Sequence, residues 1–331
     1  MFQLTRLGLT LTAVSNCWLM IFLAVYVEPD SHCNPWLRSA AALPLWLALL
    51  LAAVVAAGLH AYGAALNDLL DVRRDRMFHP RRPLPSGRLS VQGAVIAAVI
   101  GLLGATIAAL ALGTGPVLVC LLVAAATLFY NATGKYLPAT GIVTLGLIRM
   151  VGMFLPNPVL GFAWPIVLAM THVIVCATVV YHIGGKRPRL QPPEQWGIAA
   201  GWAFWTLVLI GWMGWRDGLH LADHPRAWIG PAVAALLFAL ASLWLVRWAQ
   251  RRGAGAAALR SFYGSVAGAW LIVYDLTWLL SAGLWWQGLV HAGLLVLACG
   301  AMGTLWLADL SPKHKATFGV SGEAREKALG T

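Results

Sequence analysis

The chain has 331 residues, of which 60% are hydrophobic and only 11% charged, and its mean hydropathy is +0.75. Soluble domains carry about a quarter charged residues, so this composition excludes a soluble globular enzyme, a disordered chain and a fibrous repeat. It points to a polytopic membrane protein, all-α because lipid leaves backbone groups no partner outside the helix. The formal net charge of +11, from 23 Lys and Arg against 12 Asp and Glu, would suggest nucleic acid in a soluble protein. In a membrane protein it marks the side that keeps its basic loops, and no nucleic-acid partner is expected.

Crossing a hydrocarbon core takes about 20 apolar residues, and ten segments meet or approach that length. They run over 9–27, 43–66, 92–112, 115–130, 139–155, 159–182, 196–215, 228–248, 262–282 and 285–307. A transmembrane helical bundle of nine or ten helices is therefore expected, with residues 1–310 as one domain and 311–331 as a polar cytoplasmic tail. The first segment has one preceding basic residue, Arg6, and no small-residue cleavage pattern before Glu28, so it reads as a retained helix. Gly113-Thr114-Gly115 and Pro156-Asn157-Pro158 mark tight turns between neighbouring helices. Of five cysteines only Cys33 lies in a loop, and no CxxC spacing occurs, so neither a disulfide framework nor a cysteine metal site is expected.

With the N-terminus inside, 19 of the 23 basic residues fall in the inner loops and tails; Arg38, Arg216 and Arg226 fall outside, and Arg149 lies within a helix. This asymmetry predicts an integral membrane protein with both termini cytoplasmic, in a bacterial inner membrane, with an even number of spans.

The second segment runs into Asn67-Asp68-Leu69-Leu70-Asp71-Val72-Arg73-Arg74-Asp75. Asn67, Asp71 and Asp75 repeat every four residues, which predicts one face of a continuing helix with Asp68 at its border. Three carboxylates in eight residues repel one another unless a cation lies among them. Hard oxygens suit Mg²⁺, which usually also takes substrate phosphate oxygens; the plainer alternative is pairing with Arg73, Arg74 and Arg76. Carboxylates ending an apolar helix are costly and usually functional, which favours the metal. The following His79-Pro80-Arg81-Arg82-Pro83-Leu84-Pro85-Ser86-Gly87-Arg88 is a stiff, non-helical loop. Its guanidinium groups suit phosphate oxygens.

These two stretches resemble the first signature of the UbiA superfamily of intramembrane prenyltransferases, N-D-x-x-D-x-x-x-D followed by R-P-x-x-S-G-R. Tyr130-Asn131-Ala132-Thr133-Gly134-Lys135 is similar to the family's Tyr-to-Lys stretch, and Gly141, Gly146 and Arg149 sit in a segment that also reads like it. The resemblance covers residues 1–190 and implies a helical bundle open to lipid, in which Mg²⁺ helps ionise an isoprenyl diphosphate and a small aromatic or other lipophilic acceptor attacks the allylic cation. It implies Asn67, Asp68, Asp71 and Asp75 as metal ligands, with Asp68, Asp71 and Asp75 central to catalysis. Arg82, Ser86, Tyr130 and Lys135 would lie about the diphosphate.

One departure stands out. Where the family carries a second acidic motif, the chain reads Tyr181-His182-Ile183-Gly184-Gly185-Lys186-Arg187-Pro188-Arg189. Lys186 and Arg187 are therefore expected to take over part of the charge neutralisation. The alternative is a catalytically degenerate isoprenoid-binding, transport or assembly protein. His182 and His60 read as structural side chains. Arg149 and Asp275, charged and within separate helices, are expected to pair, and Ser15-Asn16 loosely matches a family asparagine. Tryptophans at segment ends, such as Trp215, Trp285 and Trp286, read as interfacial anchors.

Overall fold

A computed structural model describes residues 2–27, 43–78, 80, 82–183, 189–216, 225–251 and 256–310. Among them the regular structure is entirely helical: α1 (Phe2–Tyr26), α2 (Leu45–Leu70), α3 (Val72–Phe78), α4 (Val91–Leu112), α5 (Thr114–Ala132), α6 (Pro138–Phe154), α7 (Trp164–Ile183), α8 (Pro192–Trp215), α9 (Pro225–Arg251), α10 (Ala256–Ser281) and α11 (Trp285–Leu310). Nine of these are long and apolar enough to cross a membrane, and α6, at 17 residues, is an apolar tenth. All ten apolar segments of the sequence are thus helices; the eleventh, α3, is a single short element. The segment 311–331 lies outside the described residues.

Local chemistry sets the helix ends. The Ser90 hydroxyl accepts a hydrogen bond from Gly93 N at 2.9 Å and caps α4. Proline occupies the first turn of α6 and α8, where a missing N–H costs nothing. The sixth apolar run becomes a helix only at Trp164, five residues later than its hydropathy predicts. Residues 155–163 stay non-helical although nearly all are buried. Side chains satisfy their backbone. Asn157 Oδ1 accepts from Val159 N, Trp212 Nε1 donates to Leu160 O at 3.0 Å, and Arg216 Nε donates to Val159 O at 3.1 Å. Non-helical chain within a membrane protein needs such partners.

Helix α1 stands near the centre, with 67% of its span buried against 17% for α8 and α9. It touches α2, α6, α10 and α11. On one side Leu19, Met20 and Leu23 join Met150, Met153, Ile166, Met170 and Leu279 in the largest core. On the other Val14, Cys17 and Ile21 pack with α2, α4 and α5 through Ala52, Val55, Ala105 and Cys120. His172 ties α7 to α10: its Nε2 donates to Ala267 O at 2.9 Å, leaving Nδ1 to accept from the Tyr274 hydroxyl at 3.2 Å. Leu118, Leu122, Leu207, Leu236 and Val296 face outward, as lipid-facing residues should.

Small residues let α2 and α4 meet backbone to backbone. A Cβ at Gly58 would lie 2.5 Å from the Gly101 carbonyl oxygen, the close approach that holds helices together where lipid removes the hydrophobic drive. Gly58→Ala is therefore expected to destabilise the folded protein by about 1–3 kcal/mol, read as a lowered melting temperature in detergent. Gly104→Ala on α4, with open space beside it, should leave the melting temperature unchanged.

Candidate active site at the basic end of the bundle

The acidic face is built where α2 stops. The helix does not continue as its four-residue repeat predicts: Asp71 adopts a turn conformation at φ −91°, ψ 1°, and α3 begins at Val72. The hydrogen-bond ladder nevertheless bridges the break, from Asp71 N to Asn67 O at 3.0 Å and from Asp75 N to Asp71 O at 2.8 Å. Asp71 and Asp75 turn inward and are buried, whereas Arg73, Arg74 and Arg76 are exposed. Among the described residues, Asp71 and Asp75 pair elsewhere than with these neighbouring arginines.

Two distant cations take the carboxylates instead. Lys135 Nζ donates to Asp71 Oδ1 at 2.7 Å, and Arg82 Nη1 donates to Asp75 Oδ2 at 2.5 Å. Arg82 is aimed by its loop, which folds on itself: Ser86 N reaches Arg82 O, Leu89 N reaches Pro83 O, and the Leu84 side chain is buried. Lys135 comes from a single 3₁₀ turn, Gly134–Tyr136, between α5 and α6. That turn rests on α6 at Gly141, where a Cβ would lie 2.5 Å from Gly134 O and 3.4 Å from Lys135 Cα. Gly141→Ala must displace the lysine backbone. Misplacing a group of an active site by about 1 Å can cost about a hundredfold, so any turnover in which Lys135 takes part is expected to fall about ten- to hundredfold. Gly211→Ala on α8, which meets nothing, should retain the rate.

Two adjoining cavities lie in the bundle, one of them lined by Lys135. The larger, about 460 Å³, lies among α1, α2, α5 and α6 and is walled by Asn16, His60, Asn67, Thr127, Asn131 and Arg149 together with apolar side chains. The smaller, about 340 Å³, lies against α7 and α10, carries Lys135 at its mouth, and is otherwise mostly apolar. Tyr130, Leu145, Val173, Leu9 and Arg149 border both. Arg149 lies 11 residues up α6 from Pro138, a rise of about 16 Å, so the cavities reach deep into the bundle.

At that depth Arg149 and Asp275 do not make the direct pair expected of them. Asn16 stands between: Arg149 Nη1 donates to Asn16 Oδ1 at 2.8 Å, and Asn16 Nδ2 donates to both Asp275 oxygens at 2.9 and 2.7 Å. The Ser15 hydroxyl also donates to Asp275 Oδ2 at 2.6 Å, and His291 Nε2 reaches the Ser15 carbonyl at 3.1 Å. Ser15, Asn16, Asp275 and His291 are all buried.

The structure thus brings Asn67, Asp71, Asp75, Arg82, Tyr130 and Lys135 to one end of the bundle. Asp68 sits beside them on the last turn of α2, half-buried. Ser86 stays apart: it is exposed, donates to Pro83 O and accepts from Arg88 Nε. His182 is exposed and borders neither cavity. Lys186 and Arg187 lie outside the described residues. Thr127, Asn131 and His291 were not singled out in the sequence; only the four-residue spacing of Thr127 and Asn131 hints at a shared wall.

Residues 35–163 match the UbiA prenyltransferase family. The stretch contains Asn67, Asp68, Asp71, Asp75, Arg82, Tyr130, Lys135 and Arg149. This part of the chain is similar to the UbiA family. Within curated proteins it is similar to the digeranylgeranylglyceryl phosphate synthase of Metallosphaera sedula, with 41% identity over 95 residues, 28% of this chain. The chain thus spans about a third (32%) of the length of that relative. A solved structure of a digeranylgeranylglyceryl phosphate synthase overlays on 84% of this chain and 97% of its own, with TM-score 0.50 and 15% identity, a likeness of fold. A UbiA homologue from Aeropyrum pernix K1 overlays with TM-score 0.46 and 18% identity over 89% of this chain and 97% of its own.

As potential Mg²⁺ donors, Asn67, Asp68, Asp71 and Asp75 of the UbiA segment are of the right type, hard oxygens on successive turns. Among the described residues no three acidic, histidine or cysteine side chains already converge as a metal cluster, and Asp71 and Asp75 each face a side-chain cation. The set fits the ion by donor chemistry.

Proposed function

We propose that the protein is a membrane prenyltransferase that moves an isoprenyl chain from its diphosphate to a small lipophilic acceptor, aromatic or otherwise. The observation that carries this reading is the gathering of the Asp71–Lys135 and Asp75–Arg82 pairs at the end of the bundle where Lys135, Tyr130 and Asn67 line two interior cavities. The basic end faces the cytoplasm of a bacterial inner membrane, as the distribution of Lys and Arg favours.

Lys135, Arg82 and the Tyr130 hydroxyl supply donors to the diphosphate oxygens, and Lys186 and Arg187 are assigned the remaining charge neutralisation. As the allylic C–O bond breaks, the bonding electrons leave with the diphosphate. Fixed cations stabilise that developing charge at low reorganisation cost. Mg²⁺, held by Asn67, Asp68, Asp71 and Asp75, would supply Lewis-acid neutralisation of the same leaving group. The apolar wall of the smaller cavity, with Leu145, Val173 and Leu271, keeps water from the carbocation until the acceptor attacks.

The second reading is an isoprenoid binder without turnover. It is favoured by the absence of any acid between Tyr181 and Arg189. Purified protein in nanodiscs, given farnesyl or geranylgeranyl diphosphate with Mg²⁺ and a lipid extract, separates the two. Release of diphosphate together with a prenylated product of matching mass supports the enzyme. Binding without release, unaffected by chelator, supports the second reading.

A further inference from the structure

The short helix α3 turns two different chemistries in opposite directions. Its inner face carries Asp75, buried and paired with Arg82. Its outer face carries Arg73, Arg74, Arg76, Met77 and Phe78, all exposed, the last two by 72% and 66%. Arg73 and Met77 are four residues apart, as are Arg74 and Phe78, so each guanidinium stands beside a bare apolar side chain on the same surface. The ion pairs Asp71–Lys135 and Asp75–Arg82 use none of these three arginines. Arg88, on the loop that follows, is exposed as well. From Val72 to Ser90 the one acid is the buried Asp75, so the charge exposed among the described residues of this stretch is all positive.

Topology alone asks for basic residues here; it does not ask for exposed Met and Phe among them. The apolar helix α2 runs as far as Leu70, and α3 begins two residues later. Seven helical residues rise about 10 Å, comparable to the headgroup layer, about 5–8 Å deep, that flanks the hydrocarbon core. Helix α3 therefore lies at the level of the headgroups. Facing water, Met77 and Phe78 would cost free energy without return; at the lipid boundary they are buried against acyl chains. We infer that α3 docks on the anionic lipid headgroups of the leaflet at the basic end of the bundle. Arg73, Arg74 and Arg76 read the phosphate charge, which guanidinium groups match in geometry, and Met77 and Phe78 enter the acyl boundary. A zwitterionic headgroup offers the same phosphate but offsets it with its own ammonium, so the two lipid types are told apart by net charge. Asp75 shares this helix, so lipid on the outer face steadies the acid on the inner one. The inference needs neither a prenyl donor nor an acceptor.

Lipid competition tests it. The full chain is placed in nanodiscs of equimolar phosphatidylglycerol and phosphatidylcholine and re-extracted, and the lipid it retains is counted by native mass spectrometry. The wild type should keep phosphatidylglycerol over phosphatidylcholine by about tenfold or more, since each arginine near an anionic surface is worth about fivefold. Arg73→Gln/Arg74→Gln should cut that preference to about a third or less, and Arg73→Lys/Arg74→Lys, which keeps the charge, should retain most of it. Arg247→Gln/Arg251→Gln removes as many exposed charges, from the end of α9, and should leave it unchanged. Met77→Ser/Phe78→Ser should lower retention of both lipids. A wild type without preference, or a preference that survives Arg73→Gln/Arg74→Gln, would overturn the assignment. An equal fall in Arg247→Gln/Arg251→Gln would also overturn it, by reducing the effect to net charge. So would displacement of phosphatidylglycerol by inorganic phosphate but not by chloride at equal ionic strength, which would make the arginines a site for free phosphate.

Discussion

Asp71→Asn is expected to lower diphosphate release by about a hundredfold or more while the protein keeps its fold. The substitution preserves shape, and its amide oxygen can still accept from Lys135 Nζ, now 2.7 Å from Asp71 Oδ1. What it removes is the negative charge. Without it Mg²⁺ loses a ligand of the kind it requires, and Lys135 loses the partner that orients it. Removing one preorganised electrostatic group from a site where charge develops costs about 10²–10³ in rate. Lys135→Met should cost a similar factor, and the Asp71→Asn/Lys135→Met double variant should lose less than the product of the single losses, because neighbours acting as a unit are not additive. Radiolabelled diphosphate release supplies the rates, and melting temperature in detergent supplies the fold control. Should Asp71→Asn retain more than about a third of the rate, the acidic motif would have no catalytic part.

That prediction depends on a feature only half legible in the sequence. The spacing of Asn67, Asp71 and Asp75 correctly puts these residues at one helix end, and the composition correctly makes them conspicuous among 12 acids. It does not give the break at Asp71, since no Gly or Pro stands there. The bend accompanies tertiary contacts made by Lys135, 64 residues away, and by Arg82. Hydropathy likewise locates all ten long helices but overextends the sixth, because Val159 to Ala163 are as apolar as any helix. Their non-helical course is held by Trp212 and Arg216, side chains some 50 residues further on. Arg149 and Asp275 could be matched as opposite charges in lipid, yet nothing in their spacing says that an amide from α1 stands between them. Three helices must be packed before that relay exists.

The two charged constellations differ in how they are compensated. At the basic end, Asp71 and Asp75 each meet a cation directly, an arrangement that an incoming diphosphate, under the proposed reading, could exchange with. At the depth of Arg149 the compensation is indirect and sealed. Ser15, Asn16 and Asp275 are each at most 2% exposed, so no water replaces a lost partner. Under that reading the basic end is built for exchange and the interior for rigidity.

This difference makes Asp275→Ala the variant with the largest expected cost in stability. It strips acceptors from the Ser15 hydroxyl and the Asn16 amide at once, and leaves Arg149 as an uncompensated charge deep in the bundle. Removing one partner of a buried charge pair costs about 3–5 kcal/mol, a large part of the stability of a typical domain. The expected result is little monodisperse protein after extraction. Asp275→Asn keeps the shape but turns one acceptor into a donor facing Ser15 or Asn16, so its cost should be nearer the 1–3 kcal/mol of an unsatisfied polar group. Adding Arg149→Met to Asp275→Asn removes the stranded charge and should recover stability relative to Asp275→Asn alone, since an apolar replacement of a whole pair is often neutral. Melting curves of the wild type, Arg149→Met, Asp275→Asn and their double variant complete the cycle. Strict additivity between positions 149 and 275 would mean that the Asn16 relay transmits no charge compensation.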